Sequence, residues 1–155
     1  MQTVVMIVCM ALTGSVWSFK NGAPGGVCLS GMPKHKVDPQ PLTTNPYKVD
    51  VQKDGVNYAL TISGANFKGF LVTARKVGDD SIVPGTFFSE SANVKTVDCK
   101  DVGQASGVTH ADASVKKSVR VAFTPPAGFE DLLYFTATVA KTGHEFWVGI
   151  KTPIF

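Results

Sequence analysis

The stretch "GAPGGVCLSGMPKH", Gly22 to His35, puts four glycines, two prolines, Cys28 and His35 into fourteen residues. That composition suits three chemistries: a phosphate-cradling loop, a Cys/His metal site, or a stapled strap at the entrance to a fold. A phosphate loop needs Gly-Lys-Ser/Thr between a strand and a helix whose amides face the phosphate. No such triplet is present, and prolines stand where the helix would begin. Six residues separate Cys28 from His35, outside the common zinc spacings. His110 and His144 are the other histidines, and no HxH or HExxH pattern joins any of the three. Neither a metal nor a cofactor is expected.

Covalent catalysis has no better support. There is no GxSxG elbow, and no serine or cysteine carries a local nucleophile signature. Asp79 and Asp80 are paired carboxylates, but "GDDS" between two strands reads as a solvated turn. The chain is therefore not expected to be an enzyme. Nucleic acid is not an expected partner either. Arg75 and Arg120 are the only arginines, and no basic-aromatic interleaving resembles an RNA-binding strand. What remains is a modest cationic cluster, Lys116, Lys117 and Arg120, in a chain of formal charge +3. On a strand, Lys116 and Arg120 share one face, about 13 Å apart at ~3.3 Å per residue. That pair could grip phosphates or sulfates of a polyanion; the alternative is an ordinary solvated sheet face. No N-glycosylation sequon occurs, since Asn45 precedes Pro46 and Asn57, Asn66 and Asn93 lack the hydroxyl.

These residues need a scaffold and a compartment. The first eighteen residues contain no Lys, Arg, Asp or Glu. "VVMIVCMAL" is an apolar run of about nine residues, long enough for a signal-peptide core and too short to span a bilayer. Val16 and Ser18 are small enough for a cleavage site, so residues 1–18 are expected to be a signal peptide and residues 19–155 a single exported domain. No later apolar run approaches the ~20 residues of a transmembrane helix, so no membrane anchor is expected. Cleavage removes Cys9 and leaves Cys28 and Cys99. An even pair in an oxidising compartment is expected to form a disulfide. Closing a loop of about 70 residues stabilises by roughly 4 kcal/mol in the chain-entropy view.

Helical periodicity is nearly absent, and period-two alternation is frequent. "VNYALTIS" places Val56, Tyr58, Leu60 and Ile62 on one face. "VKKSVRVAF" does the same with Val115, Val119, Val121 and Phe123, turning Lys116 and Arg120 outward. "LLYFTATVA" sets Leu133, Phe135, Ala137 and Val139 against Tyr134, Thr136 and Thr138, and "EFWVGIK" aligns Phe146, Val148 and Ile150. "GFLVTAR" is apolar on both faces and is expected at the centre of a sheet. Gly/Pro/Asp turns separate these runs, so the fold class is all-β, an antiparallel β-sandwich. The proline-rich segment from Lys34 to Pro46 reads as an extended crossing of a sandwich edge.

Taken in order, the pieces resemble the reeler (reelin-like) domain family. They are "GAPGGVC", "MPKH", "NPY" at 45–47, "FKGFLVTAR" at 67–75, Cys99, "VTH" at 108–110, "VRVAFTPP" at 119–126 and "YFTATVAKTGHEFW" at 134–147. The resemblance spans nearly all of residues 19–155. The family commonly has Trp at the place of Phe123, a swap that keeps an aromatic in the core. The resemblance implies an immunoglobulin-like β-sandwich and a Cys28–Cys99 bond. A lone secreted domain of this family looks most like insect defence proteins. That implies release into haemolymph and binding of microbial envelope glycolipids (lipopolysaccharide, lipoteichoic acid) in innate immunity, including nodulation. The alternative is an extracellular matrix or adhesion module that binds a polyanionic glycan such as a glycosaminoglycan, or a protein. A membrane-bound ferric reductase, a third setting of the family, is not expected, because its membrane helices and haem ligands are missing from this sequence.

Overall fold

The computed structural model describes residues 19–155; the expected signal peptide and its cleavage site lie outside the described residues. Alternating sequence becomes nine strands here: β1 (Tyr47–Asp54), β2 (Asn57–Gly64), β3 (Gly69–Lys76), β4 (Thr86–Phe88), β5 (Val94–Cys99), β6 (Gly103–His110), β7 (Val119–Thr124), β8 (Leu133–Ala140) and β9 (Phe146–Lys151). Two three-residue 3-10 turns, Gly25–Val27 and Leu42–Thr44, are the helical structure among the described residues. The strands form a four-stranded sheet, β1-β2-β7-β4, and a five-stranded sheet, β5-β6-β3-β8-β9, with every pairing antiparallel. The fold class is the expected two-sheet sandwich.

The core between the sheets is aromatic. Phe123 packs against Phe87 at 4.7 Å and edge-on to Phe135 at 5.4 Å between centroids, and Tyr58 meets Phe135 at 5.5 Å. Offset and edge-on pairs of this kind add about 0.5–1.5 kcal/mol each beyond simple burial. Phe155 closes the same cluster, held by reciprocal backbone bonds with Leu133.

β3 occupies the centre of its sheet, as its two-sided apolar pattern requires. Phe70, Val72 and Ala74 face the core. Leu71, Thr73 and Arg75 face outward yet are buried, because residues 19–35 run across that outer face as a strap. The strap is stapled by Cys28–Cys99, with a Cα separation of 5.6 Å over 71 residues. In antibody domains the disulfide joins the two sheets through the core. Here it ties the strap to edge strand β5 and forms a small second cluster with Val27 and Leu71. Gly25 allows this approach, since a Cβ there would lie 2.0 Å from the Asp98 carbonyl oxygen.

Three details depart from the alternation. Val56 sits in the β1–β2 turn and is exposed rather than inward. Val115 is exposed as well, because β7 begins only at Val119. In β9 the register shifts by a bulge where Gly149 adopts φ +78°. Trp147 and Ile150 therefore reach the core, while Phe146 packs on His35 and Val148 lines the outer face beneath the strap. The segment before β1 crosses a sandwich edge as expected. Gln40 N–H donates to the Phe146 carbonyl, and Trp147 Nε1 donates to Thr44 Oγ1.

Candidate functional site

The cationic cluster predicted from sequence does not stay together. Lys116 is turned inward as an isolated bridge to Phe67, with backbone bonds of 2.7 and 3.0 Å. Its ammonium is fully enclosed and donates to the carbonyls of Asp112 (2.9 Å), Ser114 (2.9 Å) and Lys68 (3.1 Å). The Asp112 carboxylate lies at 3.3 Å. The expected outward position of Lys116 is thus corrected. The strand parity that would expose it starts three residues later, and a lysine enclosed by carbonyls cannot also meet a ligand. Lys117 and Arg120 remain exposed. Arg120 stands on the outer face of the four-stranded sheet opposite Thr61, in a shallow hollow with Asp50 and Gln52. On its other side a broader hollow contains Arg120 together with Phe88, whose ring is 60% exposed.

Two hollows lie where the strap covers the five-stranded sheet. One is an apolar cleft of about 90 Å³ between Phe19, Val27 and Pro33 above and Leu71 and Ala140 below. The other, about 150 Å³ and more polar, is built from Arg75, Tyr134, Thr136 and Lys151. Gly31, Leu71 and Thr138 form the wall shared by both. The Thr138 hydroxyl donates to the Gly31 carbonyl at 2.6 Å and ties the strap to the sheet between them. Arg75 is 3% exposed. Its Nε donates to Thr73 Oγ1, Nη1 to the Asp80 carbonyl, and Nη2 to the carbonyls of Cys28 and Leu29. Burial pulls its pKa below the ordinary value, opposed by the charge of Asp80. Tyr134 donates to the Asp80 carboxylate, and burial together with that bond raises the phenol pKa.

The histidines do not converge. His110 Nδ1 lies 3.1 Å from the Phe70 N–H and Nε2 lies 2.8 Å from the Phe19 carbonyl, so the ring latches the strap to the sheet. His35 stacks on Phe146, and its pKa is lowered by burial first and by His144 second. No group of three or more His, Cys, Asp or Glu among the described residues is placed to hold a metal. Asp79 caps its own turn through Ser81, with bonds of 3.0 Å to the backbone and 2.6 Å to the hydroxyl.

Sequence reading missed Arg75. The available signal was a lone charge inside a strand otherwise apolar on both faces. Tyr134, Thr136 and Thr138 were read correctly as outward, but only the fold shows the strap above them.

A family model described as the Reeler domain matches residues 26–155. The chain belongs to the reeler-domain family. This reeler chain is 32% identical over 158 residues to "Defense protein l(2)34Fc" of Drosophila melanogaster, covering 97% of the chain and 95% of that protein. It is 31% identical over 156 residues to "Ferric-chelate reductase 1" of Mus musculus, covering 98% of the chain but 26% of the reductase. The chain thus spans about a quarter of that relative's length. Among solved structures, the reeler domain of human F-spondin superimposes with a TM-score of 0.54 at 18% identity, over 70% of this chain and 86% of that one. At that identity the likeness concerns the fold alone.

Proposed function

We propose that this reeler protein is secreted and acts in innate immunity. It binds microbial surface glycolipids, lipopolysaccharide and lipoteichoic acid, and promotes responses such as nodulation. The observation that carries this reading is the end-to-end correspondence with the Drosophila defense protein, 95% of whose length is matched. The role is binding rather than catalysis, and it takes place outside the cell. On this reading Lys117 and Arg120 dock phosphates of the envelope, and exposed Phe88 beside Arg120 contacts sugar or lipid.

Binding carried by exposed charge is screened by salt, because the Debye length shrinks from about 10 Å at ~0.1 M to about 3 Å at ~1 M. The test is capture of whole Gram-negative and Gram-positive bacteria at low and high salt. Capture should fall with salt, and the Lys117→Ala/Arg120→Ala variant should bind about threefold to tenfold more weakly. Absence of capture at low salt overturns the reading. Retention on heparin without capture of bacteria points instead to a matrix or adhesion module.

A further inference from the structure

We propose that edge strand β1 pairs antiparallel with β1 of a second copy, joining the four-stranded sheets of two molecules into one. An edge strand with unpaired N–H and C=O groups templates further pairing unless something blunts it. The other edges of the two sheets are blunted. β4 is three residues long. β5 shifts register at its end and carries the stapled strap, whose Gly25 carbonyl accepts the Lys100 N–H. β9 is bulged and takes the Gln40 N–H at Phe146. β1 is eight residues long and pairs with β2 without a shift. The two-residue turn after Asp54 makes Asp54 and Asn57 a hydrogen-bonded pair, so Gln52, Asp50 and Lys48 bond β2 as well. Tyr47, Val49, Val51 and Lys53 therefore turn their backbone groups away from β2. At Tyr47 the Asn45 amide takes both, accepting the N–H at 2.9 Å and donating to the carbonyl at 2.8 Å. The backbone groups of Val49, Val51 and Lys53 have no partner among the described residues. Beside them lies an open hollow walled by Val49, Val51, Pro153 and Phe155. The Lys53 ammonium is turned away from the edge, 5.5 Å over the Tyr58 ring.

The open residues and the charges select a second copy as the occupant, and they select one register. With a two-fold axis at Val51, Val49 faces Lys53 of the second copy, Val51 faces its own equivalent, and each such pair exchanges two hydrogen bonds. The same register sets exposed Lys48 opposite Asp54, twice by symmetry, and Asp50 opposite Gln52. These are the non-bonded positions, where Cα atoms stand about 4.5 Å apart and side chains interact most closely. Moving the axis to Asp50 would set Asp50 against itself, and moving it to Gln52 would set Asp50 against Asp54; like charges directly opposite are destabilising. In the single molecule Lys48 meets Asp50 at 2.9 Å, an exposed pair that is easily exchanged for Asp54. The pairing has a consequence for the outer face. Arg120 lies opposite Thr61 and Thr61 opposite Asp50, one residue from the axis. Two Arg120 side chains then stand on the same face, about 24 Å apart across five strand spacings of ~4.8 Å. The pair presents two Lys117–Arg120 faces to one surface, and the value of that for microbial capture rests on the defence reading.

Sedimentation equilibrium of the disulfide-bonded protein, from about 1 μM to about 1 mM, tests the pairing. A monomer–dimer equilibrium with a Kd of about 10–100 μM is expected, because pairing along one strand buries less than a standard interface. Lys48→Glu and Asp54→Lys each create like-charge pairs at two places across the axis and should weaken the dimer about fivefold to tenfold. The double variant Lys48→Glu/Asp54→Lys restores opposite charges and should return the Kd to within about threefold of the native value. Val51→Pro removes an N–H that bonds nothing within the single molecule and should abolish pairing in protein that thermal melts show to be folded. The proposal is overturned by a monomer over the whole concentration range, by a dimer that both single reversals leave intact, or by a double reversal no tighter than the singles. Bacterial capture is scored separately: capture by a strict monomer sinks the pairing alone, and a dimer that captures nothing sinks the defence reading alone.

Discussion

Two buried cations, Arg75 and Lys116, are each satisfied mainly by backbone carbonyls, and each holds irregular chain against a sheet. Arg75 clips the strap at Cys28 and Leu29; Lys116 gathers the loop from Asp112 to Ser114 onto Lys68. Lys116→Met would keep the aliphatic stem but leave three carbonyls without their donor. Its expected cost is about 2–4 kcal/mol, measured by chemical denaturation. Microbial capture should survive in the folded variant, because the enclosed ammonium cannot touch a ligand. His35 gives a pH prediction. Its folded pKa lies below the ordinary 6.5, through burial and then through His144. The unfolded chain therefore takes up that proton first, so stability is whole above about pH 6.5 and declines as the pH falls through that range. Thermal midpoints measured between about pH 7.5 and 5 should drop, and His35→Gln should flatten the drop. Asp79 and Asp112, whose pKa values are lowered chiefly by hydrogen bonds from Ser81 and Ser114, act in a lower window. Their contribution is lost only below about pH 4.

At the scale of elements, the strap is what the sequence disclosed least completely. Its glycines and its cysteine marked it as a tight, stapled segment, and its prolines excluded a helix. Nothing local showed that it lies across β3 and β8. Gly25→Ala tests that placement, since the new methyl would meet the Asp98 carbonyl at 2.0 Å. Displacing the strap from β5 should cost about 1–3 kcal/mol and speed reduction of Cys28–Cys99, followed by thiol labelling. Five strands, β2, β3, β7, β8 and β9, were legible because period two or a two-sided apolar run persists along them, while β1, β4, β5 and β6 carry too many polar residues or are too short to show it. Strand ends were less so. Val115 and Val56 match the inward parity, but pairing stops before it reaches them, and parity has meaning only inside a ladder. The β9 bulge reversed Phe146 and Val148 for the same reason: one extra residue flips every side chain before it.

For the whole molecule, stability rests on the aromatic cluster between the sheets, while the proposed docking residues Lys117, Arg120 and Phe88 are exposed. Phe123 is central to that cluster, touching Phe87, Phe135 and Tyr58. Phe123→Ala should cost about 3–5 kcal/mol in denaturant titration. Phe123→Trp, the residue common in the family, should fold with a much smaller loss, a difference that separates volume from aromatic character. The sequence by itself determined the all-β class, the central place of "GFLVTAR", the Cys28–Cys99 bond and the reeler resemblance. These follow from alternation, residue type and the number of cysteines, which are properties of the chain read locally. Only the tertiary structure decided that Lys116 is enclosed, that Arg75 is buried without a contacting carboxylate, and that the strap covers two hollows divided by the Thr138–Gly31 bond. Each of those depends on which distant segment covers a face. Contacts across 46 or 107 residues, such as Arg75 to Leu29 and Thr138 to Gly31, leave no trace in local periodicity.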